Sequence, residues 1–275
     1  MSLEEVDLER GDRAYSEANR VIWNQWLTRD TDSDHFKDVA RYRATGSSLR
    51  PIEREALGDV ADKSLLHLQC NMGSETLSWA RLGARVVGVD IADCAVDAAR
   101  ALAEEGALTS RATFVRSDIN DLPGQLNEQF DIVIATYGAL CWAPDIERWA
   151  RVAARYVAPG GTLLLVDLHP AGMALNTEPD DPRGLRLQLS HSYFHTLEPL
   201  TAERPDEPPV YAWTYGLGEV VSAVAAAGLR VESLREYPLA HWRQFSQLVE
   251  SGDGYWRWPD SENTLPLLFA LLARG

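Results

Sequence analysis

Ser64-Leu65-Leu66-His67-Leu68-Gln69-Cys70-Asn71-Met72-Gly73, followed by Arg85-Val86-Val87-Gly88-Val89-Asp90, is the stretch that decides the fold of this chain. The first run is short and largely apolar, the pattern of a strand buried on both faces. Cys70 to Gly73 turn the chain, and Ser74 or Thr76 is placed to cap a helix that runs to about Leu82. Gly83 ends that helix at a position suited to left-handed backbone. Arg85 to Val89 reads as a second strand, closed by Asp90. An acid about 20 residues beyond a tight turn, at the tip of the next strand, is where open α/β sheets hold a ribose. The region from Leu65 to Asp118 therefore predicts a nucleotide-type cofactor site.

Toward the C-terminus the alternation is regular. A helix over 93–105, with Asp93 at its N-cap and Gly106 past its end, leads to a third strand at Ala112-Thr113-Phe114-Val115-Arg116. Phe130 to Ala135 make a fourth strand. A helix over 145–157 puts Trp149, Val152, Ala153 and Tyr156 on one face, and Thr162 to Val166 follow as a fifth strand. Repeated strand–helix units of this kind build a parallel sheet covered on both sides. Residues 170–212 break the pattern. They are rich in Pro, Asp, Glu and aromatics without a periodic run, as in a lid or binding loop. A helix over 217–227 and strands at 230–234 and 267–272 restore the order. Only a Trp-rich excursion, His241 to Pro259, joins those last two strands, so they are expected to pair antiparallel.

Toward the N-terminus, Tyr15, Ala18, Ile22 and Trp26 recur at spacings of three and four and draw an amphipathic helix. A polar loop and a second helix from about Asp34 follow, and no strand signal precedes residue 64. The expected organisation is a helical cap over 1–60 and an α/β domain over 61–275, with a lid insertion at 170–215.

The chain has 275 residues, 45% of them hydrophobic, which is enough for a full core. A mean hydropathy of −0.23 and the lack of a bilayer-length apolar run argue for a soluble protein. The acidic start, Met1-Ser2-Leu3-Glu4-Glu5, has no basic region or apolar stretch of a secretory leader. A net charge of −15 disfavours nucleic acid and anionic membranes as partners. Cys70, Cys94 and Cys141 form no paired motif and read as reduced thiols, so the expected location is cytoplasmic. The oligomeric state is open.

Five strand–helix units, one more helix and a closing antiparallel pair make residues 64–273 resemble the class I S-adenosylmethionine-dependent methyltransferases. Leu66-His67-Leu68-Gln69-Cys70-Asn71, Gly73, Thr76-Leu77-Ser78-Trp79-Ala80-Arg81-Leu82-Gly83-Ala84, Val86 and Gly88-Val89-Asp90 together are similar to a bacterial, small-molecule subset of them. The resemblance implies a Rossmann-like sheet of about seven mostly parallel strands with a C-terminal antiparallel hairpin, helices on both faces, and S-adenosyl-L-methionine as cofactor. Leu65 to Gly73 stands where that family has its glycine-rich motif. His67 occupies the place of the usual acid, and Gln69 and Asn71 replace two glycines. Carried over, Gln69, Cys70 and Asn71 offer cofactor contacts, and Gly73 lets the backbone approach the methionine part. Asp90 accepts the ribose hydroxyls, Ile91 packs on adenine, and Asp118 beside Ile119 takes the adenine amino group. Thr136 and Tyr137, in Ala135-Thr136-Tyr137-Gly138, line the methyl-transfer site. Read from the residues alone, Asp90 and Asp118 also fit ordinary strand-end acids, and Tyr137 a packed aromatic.

Methyl transfer from a sulfonium is an in-line displacement served by proximity and alignment. A base is needed only where the acceptor loses a proton. His169, after the fifth strand, is the candidate base, with Tyr137 as the second catalytic candidate. His191 and His195 in the lid are further candidates, whereas His67 inside its strand reads as a hydrogen-bonded core histidine. Trp142, Tyr193, Phe194, Tyr211, Trp213 and Tyr215 are candidate walls of an apolar substrate pocket, with His191 and His195 beside them. Trp242, Trp256 and Trp258 read as core or interface. No metal set can be assembled. The expected function is methyl transfer to a small molecule. Two rivals stay open: an NAD-dependent oxidoreductase, which Asp90 would serve equally, and a catalytically silent cofactor-binding module.

Overall fold

The structure, a computed structural model, describes residues 3–29, 34–177, 186–196, 198–202, 207–259 and 264–275. Three helices precede the first strand: α1 (Leu3–Arg29), α2 (Asp34–Thr45) and α3 (Pro51–Leu57). Then β1 (Ser64–Leu68), α4 (Ser74–Arg81), β2 (Arg85–Asp90), α5 (Asp93–Glu105), β3 (Ala112–Arg116), β4 (Phe130–Thr136), α6 (Ile146–Arg155) and β5 (Val157–Leu168) alternate. A one-turn helix α7 (Pro170–Met173) leads to two short antiparallel pairs, β6 (Leu175–Thr177) with β7 (Leu187–Leu189) and β8 (Leu200–Ala202) with β9 (Val210–Ala212). Helix α8 (Leu217–Ala226) and β10 (Arg230–Tyr237) return to the main sheet. The excursion after it is a small antiparallel sheet of β11 (Leu239–Ala240), β12 (Val249–Ser251) and β13 (Tyr255–Arg257), and β14 (Leu268–Arg274) ends the chain's strands.

The main sheet has the order β10–β14–β5–β4–β1–β2–β3. β1 is central, parallel to β2 on one side and to β4 on the other. Its residues Leu65 to Leu68 are all buried, because helices cover both of its faces. Leu65 faces the cluster that holds Trp79 and Phe114, while Leu66 and Leu68 face the one that holds Trp149 and Tyr215. The strand order reverses between β1 and β4, and a crevice opens there beyond the carboxyl ends of the strands. β14 runs antiparallel to both β5 and β10, as the missing crossover helix requires.

Several local expectations change. The N-cap of α4 is Gly73 at φ +73°, not Ser74 or Thr76. A Cβ at Gly73 would lie 2.7 Å from both Ala99 and Phe114, and one at Gly88 would lie 2.6 Å from Phe114. These two glycines let the Phe114 ring fill the space between β2, β3 and α4. The N-cap of α5 is Ala92. Asp93 instead receives Arg20 and Asn24 of α1, and the Asn24 side-chain Oδ1 accepts the Cys94 N–H at 3.0 Å. Helix α1 is thereby docked on the start of α5. Its other side is tied to β9, where Asn19 both donates to and accepts from the Tyr211 backbone. No helix among the described residues is long and apolar enough to cross a membrane.

Candidate functional site

A cavity of about 920 Å³ lies at the carboxyl edge of β1, β2, β3 and β4, roofed by α1 and closed at one end by the small β11–β13 sheet. At one end of it, Asp90 closes β2. One of its carboxylate oxygens accepts the Asn71 N–H at 2.8 Å, and the other accepts the Ala92 N–H at 2.9 Å. Burial raises the Asp90 pKa, and these backbone donors oppose the rise. Asn71 and Gln69 both adopt left-handed backbone, at φ +48° and +56°. Side-chain bonds hold them there. Asn71 accepts the Met72 N–H, while Gln69 donates to the Ala139 carbonyl at 2.7 Å and accepts the Trp149 indole N–H at 2.9 Å. Two non-glycine residues thus keep a turn for which glycine is the easier choice. At the end of β3, Asp118 accepts the Asn120 N–H at 2.7 Å and faces the cavity with Ile119 and Ile91.

The middle of the cavity is a polar network. His67 accepts the Thr76 hydroxyl on Nδ1 at 2.8 Å and donates from Nε2 to Thr136 at 3.1 Å. Thr136 donates onward to Glu75 at 2.8 Å. Burial depresses the His67 pKa to about 3, so the ring is neutral. The same desolvation, with Glu53 nearby, raises the Glu75 carboxyl to about 8. Arg50 lies opposite, 4% exposed, with Nη2 on the Asp38 carboxylate at 2.8 Å and 3.0 Å and Nε on the Gly254 carbonyl.

At the outer end, Tyr137 follows β4 at φ +54°. Its hydroxyl donates to Glu53 at 2.6 Å and stands 3.0 Å from the Tyr255 hydroxyl, and its ring packs 4.8 Å from His241. Burial is the main reason that the Tyr137 and Glu53 pKa values are raised. The loop after β4 hangs on Asp167, a buried carboxyl that accepts the N–H groups of Gly138, Leu140 and Leu168 at 2.6–2.8 Å. Burial lifts its pKa to about 6. Trp142, Trp23 and Trp26 meet edge to face over the cavity, with Trp23 5.3 Å from Trp142 and 5.4 Å from Trp26. Trp242 and Trp256 close the far wall. Burial drives the Cys70 and Cys141 thiols up, so both stay protonated.

Among the residues singled out from the sequence, Gln69, Cys70, Asn71, Asp90, Ile91, Asp118, Ile119, Thr136, Tyr137 and Trp142 line this cavity. Gly73 does not line it, because Ala99 and Phe114 occupy the space its missing side chain leaves. His169 is also off the cavity. It caps α7 by accepting the Ala171 N–H on Nδ1 at 3.0 Å, and its Nε2 pairs with Glu236 at 2.8 Å. Both ring nitrogens are committed to the fold, and burial lowers the His169 pKa. His191 is exposed, Tyr193 meets the Leu217 N–H, and His195 stacks 4.7 Å from Tyr215. Tyr211 and Trp213 pack on Tyr15 of α1 at 4.7 Å and 5.5 Å. None of these five lines the cavity.

Sequence reasoning missed Trp23, Arg50, Glu75 and His241, and it read Trp242 and Trp256 as core or interface. Charged Arg50 and Glu53 flank apolar Pro51 and Ile52 just before the first strand, which is the one signal that marked Arg50 in advance. Among the described residues no three His, Cys, Asp or Glu side chains gather as a metal ligand set.

Comparison with known proteins agrees with this architecture. Residues 66–165 match the family model described as a methyltransferase domain. That stretch, about a third of the chain, is similar to a methyltransferase domain. Curated relatives from Xanthomonas oryzae pv. oryzae, each named ubiquinone biosynthesis O-methyltransferase, are 33% identical over 119 residues, 42% of this chain and 48% of theirs. The chain thus spans about half the length of the curated relatives it matches. The S-adenosylmethionine-dependent methyltransferase of Mesorhizobium loti superposes with a TM-score of 0.57 at 18% identity, over 81% of this chain and 95% of that one. The glycopeptide N-methyltransferase MtfA, solved with S-adenosyl-L-methionine, superposes at 0.52 and 16% identity, over 80% and 90% of the two chains. These two share the fold.

Proposed function

We propose that the protein is an S-adenosylmethionine-dependent methyltransferase acting on a small organic acceptor. The observation that carries this reading is Asp90, a half-buried carboxylate at the tip of β2 held by two backbone N–H groups at one end of a large cavity. A carboxylate fixed in this way has lone pairs left for a vicinal diol. The residues present fit the cofactor. Asp90 and Asn71 would hold the ribose, Asp118, Ile119 and Ile91 the adenine, and the polar middle of the cavity the remainder. At about 920 Å³ the space lies near the upper end of small-molecule sites, ~300–1,000 Å³, and leaves room for a second reactant.

When bound, the cofactor supplies a sulfonium methyl whose leaving group needs no proton. The chain therefore acts mainly by alignment and by excluding water. Tyr137 and Gly138, fixed through Glu53 and Asp167, set the floor where the acceptor would meet the methyl. Trp142, Trp242 and Trp256 give it apolar walls. His67 cannot hold an acceptor's proton near neutral pH, because burial keeps it neutral. His241 is the other imidazole that lines the cavity, and to it we assign that role in place of His169. Helix α1 and the described part of the segment over 170–215 are read as the cover, residues 178–185, 197 and 203–206 of that expected lid lying outside the described residues, within one domain over 61–275 preceded by a helical cap. The net charge of −15 supports a metabolite rather than a nucleic acid or an anionic membrane as partner, in a cytoplasmic setting.

Calorimetric titration with S-adenosylmethionine, S-adenosylhomocysteine and NAD tests the reading. Micromolar binding of the first two and none of NAD is expected. Binding of NAD alone overturns it in favour of an oxidoreductase, and cofactor binding without turnover on a broad acceptor panel favours a silent module.

A further inference from the structure

Gln69 is a costly residue for the backbone it adopts. It sits at φ +56°, in the left-handed region, in the turn between β1 and α4. Glycine takes that conformation without the crowding that a Cβ brings. The Gln69 side chain offsets the cost through what it reaches. Nε2 donates to the Ala139 carbonyl at 2.7 Å, and Oε1 accepts the Trp149 indole N–H at 2.9 Å. Ala139 is a buried residue of the loop after β4, and Trp149 is a buried residue of α6. One amide therefore ties together three places that are distant in the sequence.

On the cofactor reading above, the two cavity-side ends of this tie have different duties. The turn after β1 carries Asn71, whose N–H holds Asp90 at 2.8 Å. The loop after β4 carries Gly138 and Trp142, which line the acceptor end. Asp167 hangs that loop on β5 through the Gly138 and Leu140 N–H groups. The Cys141 carbonyl accepts the Trp213 N–H at 2.9 Å, which sets the loop under the cover. Thr136, just before the loop, meets His67 of β1. Gln69 adds the link from the loop to the turn that holds Asp90.

We propose that Gln69 is a positioning residue whose amide couples the turn after β1 to the loop after β4, so that a seated nucleoside stiffens the floor on which the acceptor lies. The inference rests on the cofactor reading, and it adds a route by which one reactant prepares the place of the other. A ligand that orders one segment lowers the entropy cost of ordering a segment bonded to it, with no change of shape required. In-line displacement depends on the spacing of donor and acceptor, so a stiffer floor serves the reaction directly. Gln69 acts through Ala139 and takes no part in the chemistry.

The test is hydrogen exchange on the whole chain, read by mass spectrometry with and without saturating S-adenosylhomocysteine. Peptides over 137–143 report the loop, and peptides over 116–121, at the Asp118 end of the cavity, report that the ligand is seated. In the wild type the ligand is expected to slow exchange over 137–143 by about tenfold, within the usual range of coupling between sites. Gln69→Gly keeps the left-handed backbone and removes the tie, and Gln69→Asn suits the same backbone but is one methylene short. In both variants the response over 137–143 should fall below about twofold, while that over 116–121 persists. A merely structural role would speed exchange by the same factor with and without ligand, so the ratio is the readout. Equal slowing of the loop in wild type and variants means that the ligand stiffens it by direct contact, and overturns the proposal. A wild-type loop that ignores the ligand while 116–121 responds overturns it as well, and so does loss of both responses in the variants. The cofactor reading survives all three results. It falls together with the proposal only if neither stretch of the wild type responds and calorimetry shows no binding.

Discussion

The sheet edge and its cover are built by different rules. At the edge, Asn71, Asp90 and Asp118 each lie at the end of one strand, and short local bonds fix them: Asn71 N–H to Asp90, Asn120 N–H to Asp118. Over the edge, the cover joins residues far apart in sequence. Asn19 meets Tyr211 across 192 positions, Trp23 meets Trp142, and His241 meets Tyr137. Strand-end geometry is dictated by the chain on either side of it, whereas the cover depends on which distant faces happen to fit. On the proposed function, the edge would supply the nucleoside contacts on a rigid frame, and the cover would decide what else enters.

Asp90→Ala is the strongest way to break this contrast. It removes two charge-assisted bonds from a ribose, each about 1.5–3 kcal/mol, so S-adenosylhomocysteine affinity should fall at least about 100-fold by calorimetry. Wild-type affinity in the variant would place the nucleoside away from the β2 tip and leave the edge as mere scaffold. Gly73→Ala sharpens the contrast on stability instead. Left-handed backbone costs a non-glycine residue about 1–2 kcal/mol, and crowding by Phe114 and Ala99 adds about 1–3 kcal/mol. Urea unfolding should show a loss of about 2–5 kcal/mol. A loss below about 1 kcal/mol would mean that the α4 junction is looser than its packing implies.

What was legible in the sequence follows the same division. The strand at Leu65 to Leu68, the acids at Asp90 and Asp118, and the antiparallel final pair are set by apolar runs and by connection lengths, which a single sequence displays. Gly73 was recognised as necessary but for a ligand, when its neighbour is Phe114 from a strand 40 residues on. Aromatic richness in 190–215 pointed to a pocket wall, yet Tyr211 and Trp213 turn toward Tyr15 of α1. The wall comes instead from Trp23, Trp242 and Trp256, whose placement depends on helix docking and on a small sheet of two- and three-residue strands. Strands that short carry no periodicity to read. Arg50 and Glu75 escaped for another reason: a charge in a sequence reads as surface until the fold closes around it.

Trp23→Ala probes the cover itself. It removes two edge-to-face contacts, with Trp26 and Trp142, each about 0.5–1.5 kcal/mol. Stopped-flow release of S-adenosylhomocysteine should quicken by about tenfold, while the unfolding free energy changes by about 1–3 kcal/mol. Unchanged release would show that α1 roofs the cavity without retaining the ligand.

The smallest expected effect belongs to His169, and it is the sharpest contrast between position in the sequence and position in the fold. Its place after β5 puts its backbone at the sheet edge, but its side chain turns back. Nδ1 caps α7 and Nε2 holds Glu236. His169→Gln should cost about 1 kcal/mol or less of stability, the scale of a lost cap, and leave S-adenosylhomocysteine affinity within about twofold. The burial-lowered His169 pKa fixes the sign with pH. A histidine whose folded pKa lies below its unfolded value contributes stability above the unfolded pKa and loses it as pH falls. The wild-type advantage over His169→Gln should therefore shrink as unfolding is measured from pH 7 down to pH 5. An advantage that grows over that range would mean that the ring is charged against Glu236. A large loss of methyl transfer in the variant would return His169 to the cavity and break the division between edge and cover.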